Sequence, residues 1–244
     1  MMMRPFPISL ALIIGFSPAA MAQSTIDVIQ QGSDLTGGIT QNNGDADVDF
    51  SQNGSGHQAG LTLDGSGLTA LISQEGTSNQ ATVSLLGEGH DATLNQGGSN
   101  NQAQIGVTGS DNVFVVDQAG DNLGVALTQN GGFNDARIDQ SGSFNVVRLQ
   151  QNGDDNNARI DQFNSDNLAD ITQNGSNNDV NLEQIGTGNV FTLTQNGDGL
   201  VAPSITQLDG GQIVVTQTGN GLGGGFDALE DDAFGLISVT TPNN

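Results

Sequence analysis

The sequence predicts an all-β fold, a two-sided parallel β-solenoid of about nine 22-residue rungs, each built as strand-turn-strand-turn. Three observations predict it. Glutamine and apolar residues recur every eleven positions, polar residues alternate with them, and glycine and asparagine punctuate each unit. Asn130 to Gln162 (NGGFNDARIDQSGSFNVVRLQQNGDDNNARIDQ) contains all three. Within it Ala136, Val147 and Ala158 are eleven apart, as are Ile138, Leu149 and Ile160, and Gln140, Gln151 and Gln162.

Stepping by eleven from Gln30 lands on Gln30, Gln41, Gln52, Leu63, Gln74, Leu85, Gln96, Val107, Gln118, Gln129, Gln140, Gln151, Gln162, Gln173, Gln184, Gln195, Thr206 and Gln217, fourteen of the eighteen being Gln. A phase kept over that length is an internal repeat and takes precedence over any single motif. Two positions after the glutamine stands Gly in nearly every unit, and five after it often Asn, as at Asn79, Asn101 and Asn112. The seventh position is small or β-branched, apart from Phe114 and Phe191, and the ninth is almost always Ile, Leu or Val.

The alternation of Ala, Ile and Gln with polar residues is the period of a strand. Gly-x-x-Asn supplies the turn, because both residues tolerate left-handed backbone angles. An eleven-residue period also fits a right-handed coiled coil, but Gly and Asn in every unit exclude it. The exceptions Leu63, Leu85 and Val107 are 22 apart, and the residues between them keep Gln74, Gln96 and Gln118. One rung is therefore two strands and two turns, with Gln52 over Gln74 over Gln96 and Leu63 over Leu85 over Val107. At about 4.8 Å per rung, nine rungs make a rod of about 40 Å.

Stacking also explains the inward glutamine. A buried amide is costly unless paired, but in a stack each amide donates to one neighbour and accepts from the other, as in cross-β ladders. The candidate stacking glutamines are Gln30, Gln52, Gln74, Gln96, Gln118, Gln129, Gln140, Gln151, Gln162, Gln173, Gln184 and Gln195.

Composition agrees. Only 34% of the residues are hydrophobic and 4% aromatic, too few for a core of large side chains, and cysteine is absent. The net charge is −23, with Arg4, Arg137, Arg148 and Arg159 the only arginines and no lysine. Nucleic acid and anionic membranes are improbable partners for such a chain. Residues 1–22 read as a signal peptide: Arg4, the apolar Ile8 to Phe16, and Ala20-Met21-Ala22 before Gln23. The apolar run is too short to span a bilayer. Residues 23–219 form the repeat domain and 220–244 an acidic, irregular tail or cap. A cap is favoured, because a solenoid end exposes unpaired strands. Leu200 to Gly211 slips out of phase by one residue around Pro203, which has no amide hydrogen, and reads as a bulge or imperfect rung.

The candidate chemistry is sparse. Arg137 and Arg159 point outward on one face and Arg148 on the other. Asp117, Asp139, Asp161 and Glu183 form a carboxylate column beside the first pair. A solvated surface with weak ion pairs, worth about 0–1 kcal/mol each, accounts for them. Ca²⁺ bridging is the sharper alternative, but no unit carries the Ca²⁺-binding nonapeptide signature. His57 and His90 occupy turn positions otherwise held by Asn, on opposite turn columns, and read as ordinary turn residues rather than metal ligands. Short turns build no catalytic cleft, so neither enzyme activity nor a cofactor is expected. An ice-binding solenoid needs flat threonine arrays, which this sequence does not supply.

The pattern Asn134-x5-Gln140-x-Gly142-x-x-Asn145-x-Val147-x3-Gln151 resembles the curlin repeat, Ser-x5-Gln-x-Gly-x-x-Asn-x-Ala-x3-Gln, with Asn for the leading Ser. The likeness recurs from about Ser24 to Gly219. It implies a secreted subunit that self-assembles into curli-type amyloid fibres at the cell surface, serving adhesion and biofilm matrix. It also implies export through the periplasm and a dedicated outer-membrane pore, a nucleator subunit as partner, and an export signal within Ile26 to Phe50, where the turn Asn is missing. By the same resemblance the inward Gln columns and Asn134, Asn145, Asn156, Asn167, Asn178 and Asn189 are the assembly-stabilising positions. The alternative is a soluble, capped β-solenoid acting as a surface adhesin or carbohydrate-binding module.

Overall fold

The computed structural model of the protein describes residues 9–15, 24–42, 44–219, 229–231 and 236–241. These contain no helix. Successive strands alternate between two parallel sheets, one of ten strands and one of eleven. We call them the Gln140 sheet and the Gln151 sheet after a residue in each. Nine full rungs run from Thr25–Ser33 with Thr36–Asn42 to Val201–Leu208 with Gln212–Thr218. Each strand pairs with strands 22 residues away. Gln118 lies between Gln96 and Gln140, and Val125 between Ala103 and Val147. The expected two-sided parallel solenoid is therefore the fold.

The core is the narrow space between the sheets. It holds Ala136, Ile138, Val147, Leu149, Ala158 and Ile160, all at most 2% exposed. The buried Phe114 lies between Ala92 and Ala136, so one ring and two methyls share the height. This thin interior is why so few aromatic residues suffice.

The turns depend on two backbone positions. The glycine after each glutamine is a point of close approach. A Cβ added to Gly98 (φ +100) would sit 2.1 Å from the carbonyl oxygen of Gly120 one rung away. The second left-handed residue is not the recurrent Asn, as the sequence reading held, but the residue before it: Asn100, Asp111, Asn122, Asp155 and Asn177 have φ of 53 to 58. The recurrent Asn is instead buried beneath the turn.

The bulge in the last rung is real. Asp179 pairs with Val201 and Asn181 with Ser204, so Ala202 and Pro203 together oppose Val180. The extra residue brings Gln207, not Thr206, opposite Gln184. The following turn is one residue shorter, and Gln217 meets Gln195 at the normal spacing.

Strands outside the repeat lie on both ends. Ser9–Gly15, within the apolar run assigned to the signal peptide, pairs with Thr36–Asn42. Leu229–Asp231 pairs with Ile205 to Gln207, and Leu236–Thr241 with Gln212 to Gln217. The expected cleavage site around Ala22 lies outside the described residues.

Phe133 and Phe144 occupy the left-handed turn position at φ 58, where other units place Asn, Asp, Ser or Gly, and both are exposed. A left-handed backbone costs an L-residue about 1–2 kcal/mol, less for Asn. Phe133→Asn is expected to stabilise the folded chain by about 1 kcal/mol, read as a higher denaturant midpoint. An unchanged midpoint would show that the ring makes compensating contacts.

Candidate functional site

The inward glutamines form two hydrogen-bonded ladders. In the Gln140 sheet, Nε2 of Gln30, Gln52, Gln74, Gln96, Gln118, Gln140, Gln162 and Gln184 each donates to Oε1 of the next glutamine, ending on Gln207, at 2.5 to 3.0 Å. In the Gln151 sheet, Gln129, Gln151, Gln173 and Gln195 do the same, ending on Gln217. The second amide hydrogen crosses to a backbone carbonyl of the opposite sheet. Gln140 Nε2 reaches Gly124 O at 3.2 Å, and Gln151 Nε2 reaches Asp135 O at 3.0 Å. A carbonyl accepts only from the amide nitrogen, so this bond sets which way each amide points. The ladder consequently has one sense along the chain, with donors toward the C-terminal end and acceptors toward the N-terminal end. Gln207 and Gln217 extend it beyond the glutamines nominated from sequence. The twelve-residue step from Gln195 to Gln207 in LVAPSITQLDGG was the signal that Gln207 replaces Thr206.

The second ladder is broken where Leu63, Leu85 and Val107 hold the glutamine position. None can donate or accept through its side chain, so Gln129 Oε1 is left buried and unpaired at one end of the break and Gln41 Nε2 has no ladder acceptor at the other. Gln41 Nε2 turns aside to Ser24 Oγ and Gly44 O.

The buried turn asparagines form a second set of columns. Asn145 donates to Ser141 O and Asn164 O, and its Oδ1 accepts the backbone N–H of Asn167. Asn167 Oδ1 in turn accepts the N–H of Asn189. On the opposite edge Asn134 Oδ1 accepts from the backbone of Asn156, and Asn156 Oδ1 from that of Asn178. Each Asn thus ties its own turn to the turns on neighbouring rungs. His57 and His90 are fully buried in these columns, rather than lying at the surface of an ordinary turn. His57 Nδ1 accepts the N–H of Asn79, and its Nε2 faces Asn53 O at 3.2 Å. His90 repeats this with Asn112 and Leu86. Imidazole here reproduces the amide's acceptor and donor, with the neutral ring protonated at Nε2.

The two outward faces differ in charge. The Gln140 face carries Asp27, Asp47, Asp49, Glu75, Asp91, Asp117, Asp121, Asp135, Asp139, Asp161, Asp179 and Glu183, twelve carboxylates, against Arg137 and Arg159. The Gln151 face carries Asp64, Glu88 and Asp170 against Arg148, whose guanidinium lies 4.0 Å from Asp170. Asp117, Asp139, Asp161 and Glu183 stack as expected. Arg159 clamps Asp161 at 2.9 Å. Asp139 has its pKa raised by desolvation and by Asp161 and Asp117, against a lowering pull from Arg137 and Arg159. Burial raises the pKa of Asp135 as well. Among the described residues no three His, Cys, Asp or Glu side chains converge as metal ligands.

The Gln151 face also corrects the reading that no threonine array exists. Thr40, Thr62, Ser84, Thr128, Thr172, Thr194 and Thr216 share one outward column, interrupted by Gly106 and Gln150. Their 22-residue separation hid the column in the linear sequence.

Two predictions follow from this geometry. Gln140→Leu should cost about 1–3 kcal/mol by stranding Gln162 Oε1 and one hydrogen of Gln118, although Leu85 sits quietly among apolar neighbours. The Gln140→Leu, Gln162→Leu pair breaks three ladder bonds rather than four, so its cost should fall short of the sum of the single variants. Strict additivity in urea unfolding would argue against a continuous ladder. The second concerns pH. A carboxyl whose folded pKa is raised destabilises the fold above that pKa, and the penalty is relieved as acid protonates it. Asp139→Asn should therefore unfold at a higher temperature than the parent at pH 7, and the difference should vanish below the carboxylate range. A gap that persists in acid would assign the gain to something other than charge.

The curlin-associated repeat is recognised four times in the chain, at residues 65–98, 134–163, 145–175 and 164–197. No curated protein and no solved structure matches it. Each recognised segment contains the glutamine, the close-approach turn and the turn amide or its neighbouring strand described above. With the ladders, the turn columns and the repeat in agreement, the chain carries curlin-associated repeats over residues 65–98 and 134–197.

Proposed function

We propose that the chain, after removal of residues 1–22, is a secreted structural subunit that assembles end to end into extracellular curli-like amyloid fibres for adhesion and biofilm matrix. The observation that carries this reading is that each terminal rung accepts a further parallel strand in register, Ser9–Gly15 at one end and Leu236–Thr241 at the other. An edge that templates such a strand can template the first rung of another copy. The ladder's single sense supports head-to-tail addition, with the glutamine donors of one copy meeting the acceptors of the next. Cleavage at Ala22 would remove Ser9–Gly15 and free the N-terminal edge. Residues 220–244 then act as a displaceable cap on the other edge. The likeness to curlin-associated repeats supports the remaining partners: a nucleator subunit, an outer-membrane pore and passage through the periplasm. The repeat and the fold are those of a structural protein, and we assign no catalysis.

The strands over the last rung also favour a second reading, a permanently capped soluble adhesin or carbohydrate-binding module. Incubation of the mature protein separates the two. Fibre growth predicts thioflavin-positive filaments with a meridional reflection near ~4.8 Å, and a shorter lag at acid pH as carboxylate repulsion falls. Removing residues 220–244 should shorten the lag further. A monomer that persists at high concentration with and without the tail would favour the capped adhesin.

A further inference from the structure

We propose that two copies of this chain pair laterally, with the outward face of one Gln151 sheet packed on the same face of the other. Axial growth uses the rung ends and this pairing uses a sheet face, so the inference extends the fibre reading without depending on it.

Charge selects the face. The Gln140 face has a net charge of −10, twelve carboxylates less two arginines, and the Gln151 face has −2, three carboxylates less one arginine. Two Gln140 faces repel. A Gln140 face covered by a Gln151 face would have to desolvate unpaired carboxylates, which is expensive. Only the two Gln151 faces meet without either penalty, and a face packed on its own copy is the self-complementary arrangement of a two-fold pair.

The surface chemistry agrees. Gly124 and Ala126 keep the middle of the face low, and the hydroxyl column, with Gly106 in it, runs beside them. Val146, Leu168 and Val190 form a half-buried apolar strip along one margin. Asn130, Asn152, Asn174 and Asn196 run along the other as an amide ladder at 2.8 to 3.0 Å. Short side chains lose little rotamer freedom on packing. A shallow hollow of about 460 Å³ lies where Ala126 sits between Gln104 and Arg148. Because both copies share one rung spacing, a hydroxyl or amide contact made once recurs along the rod. Strands of about 23 Å stacked over about 40 Å give a face of about 900 Å² per copy, above the ~800 Å² per partner of a standard stable interface.

The test measures the mature chain in two states. Sedimentation velocity of the soluble subunit in moderate salt should show a dimer, and filament mass per length should give two chains per nine-rung repeat. Ala126→Glu with Thr128→Glu, both exposed, should weaken pairing at least tenfold and return both readouts to one chain, with an unchanged circular dichroism spectrum. Thr194→Glu reads the same face should that pair fail to fold. Leu71→Glu adds charge to the Gln140 face and should leave pairing intact. A monomeric parent with one chain per repeat, or pairing lost in Leu71→Glu but kept in Ala126→Glu/Thr128→Glu, overturns the inference. A monomer held through this face by a polysaccharide matrix overturns it in favour of another occupant. If filaments fail to form, the fibre reading fails while sedimentation still decides the pairing.

Discussion

A primary amide buried between two sheets must place two hydrogens and an oxygen on protein partners, because no water is there to serve instead. In this molecule one hydrogen and the oxygen are satisfied by identical amides on adjacent rungs, and the other hydrogen by a carbonyl across the core. Every other feature respects that condition. The strands run in strict register because a slip would set an amide against an aliphatic side chain. Where Leu63, Leu85 and Val107 stand in the column they stand together, so the mismatch falls only at the ends of the run, on Gln41 Nε2 and Gln129 Oε1. Where a residue is inserted at the bulge, a shorter turn follows, and both ladders continue through Gln207 and Gln217.

The turns obey the same condition with different chemistry. Stacked chains bring turn backbones together so tightly that a methyl group has no room at the glycine column. The neighbouring turn N–H groups are buried and need acceptors. Asn supplies one from a short side chain, and His57 and His90 supply one from an imidazole nitrogen. The equivalence of Asn and His here is one of reach and of donor and acceptor positions, not of charge.

With the interior committed to stacking, only the outward positions are free to differentiate the molecule. They place nearly all strand carboxylates on one face and leave the other close to neutral. A stack multiplies any such choice, because residues 22 apart fall in one column and like charges then lie at rung spacing. The raised pKa of Asp139 comes from its burial first and from the carboxylates above and below it second. The same multiplication turns scattered threonines into a hydroxyl column.

The eleven-residue period was sufficient to read the strands, the two-strand rung, the stacking of Gln52 on Gln74 and the opposition of Arg148 to Arg137 and Arg159, because in a parallel stack sequence separation translates directly into position. It was not sufficient where position depends on backbone path. Thr206 was in phase by counting, yet Gln207 occupies the ladder, since a bulge shifts the strand without leaving a gap in the apolar pattern. Spacing makes the recurrent Asn a left-handed turn residue, whereas the residue before it bends and the Asn lies buried, a distinction of dihedral angle that spacing does not encode. The burial of His57 and His90, the single sense of the ladders and the strands laid over both ends required the tertiary structure, because each depends on which carbonyl or edge lies within about 3 Å. The linear sequence by itself determined what repeats and therefore what stacks; only the folded chain decided which way the amides point and what meets the ends, because those are set by hydrogen-bond geometry between rungs rather than by residue spacing within one.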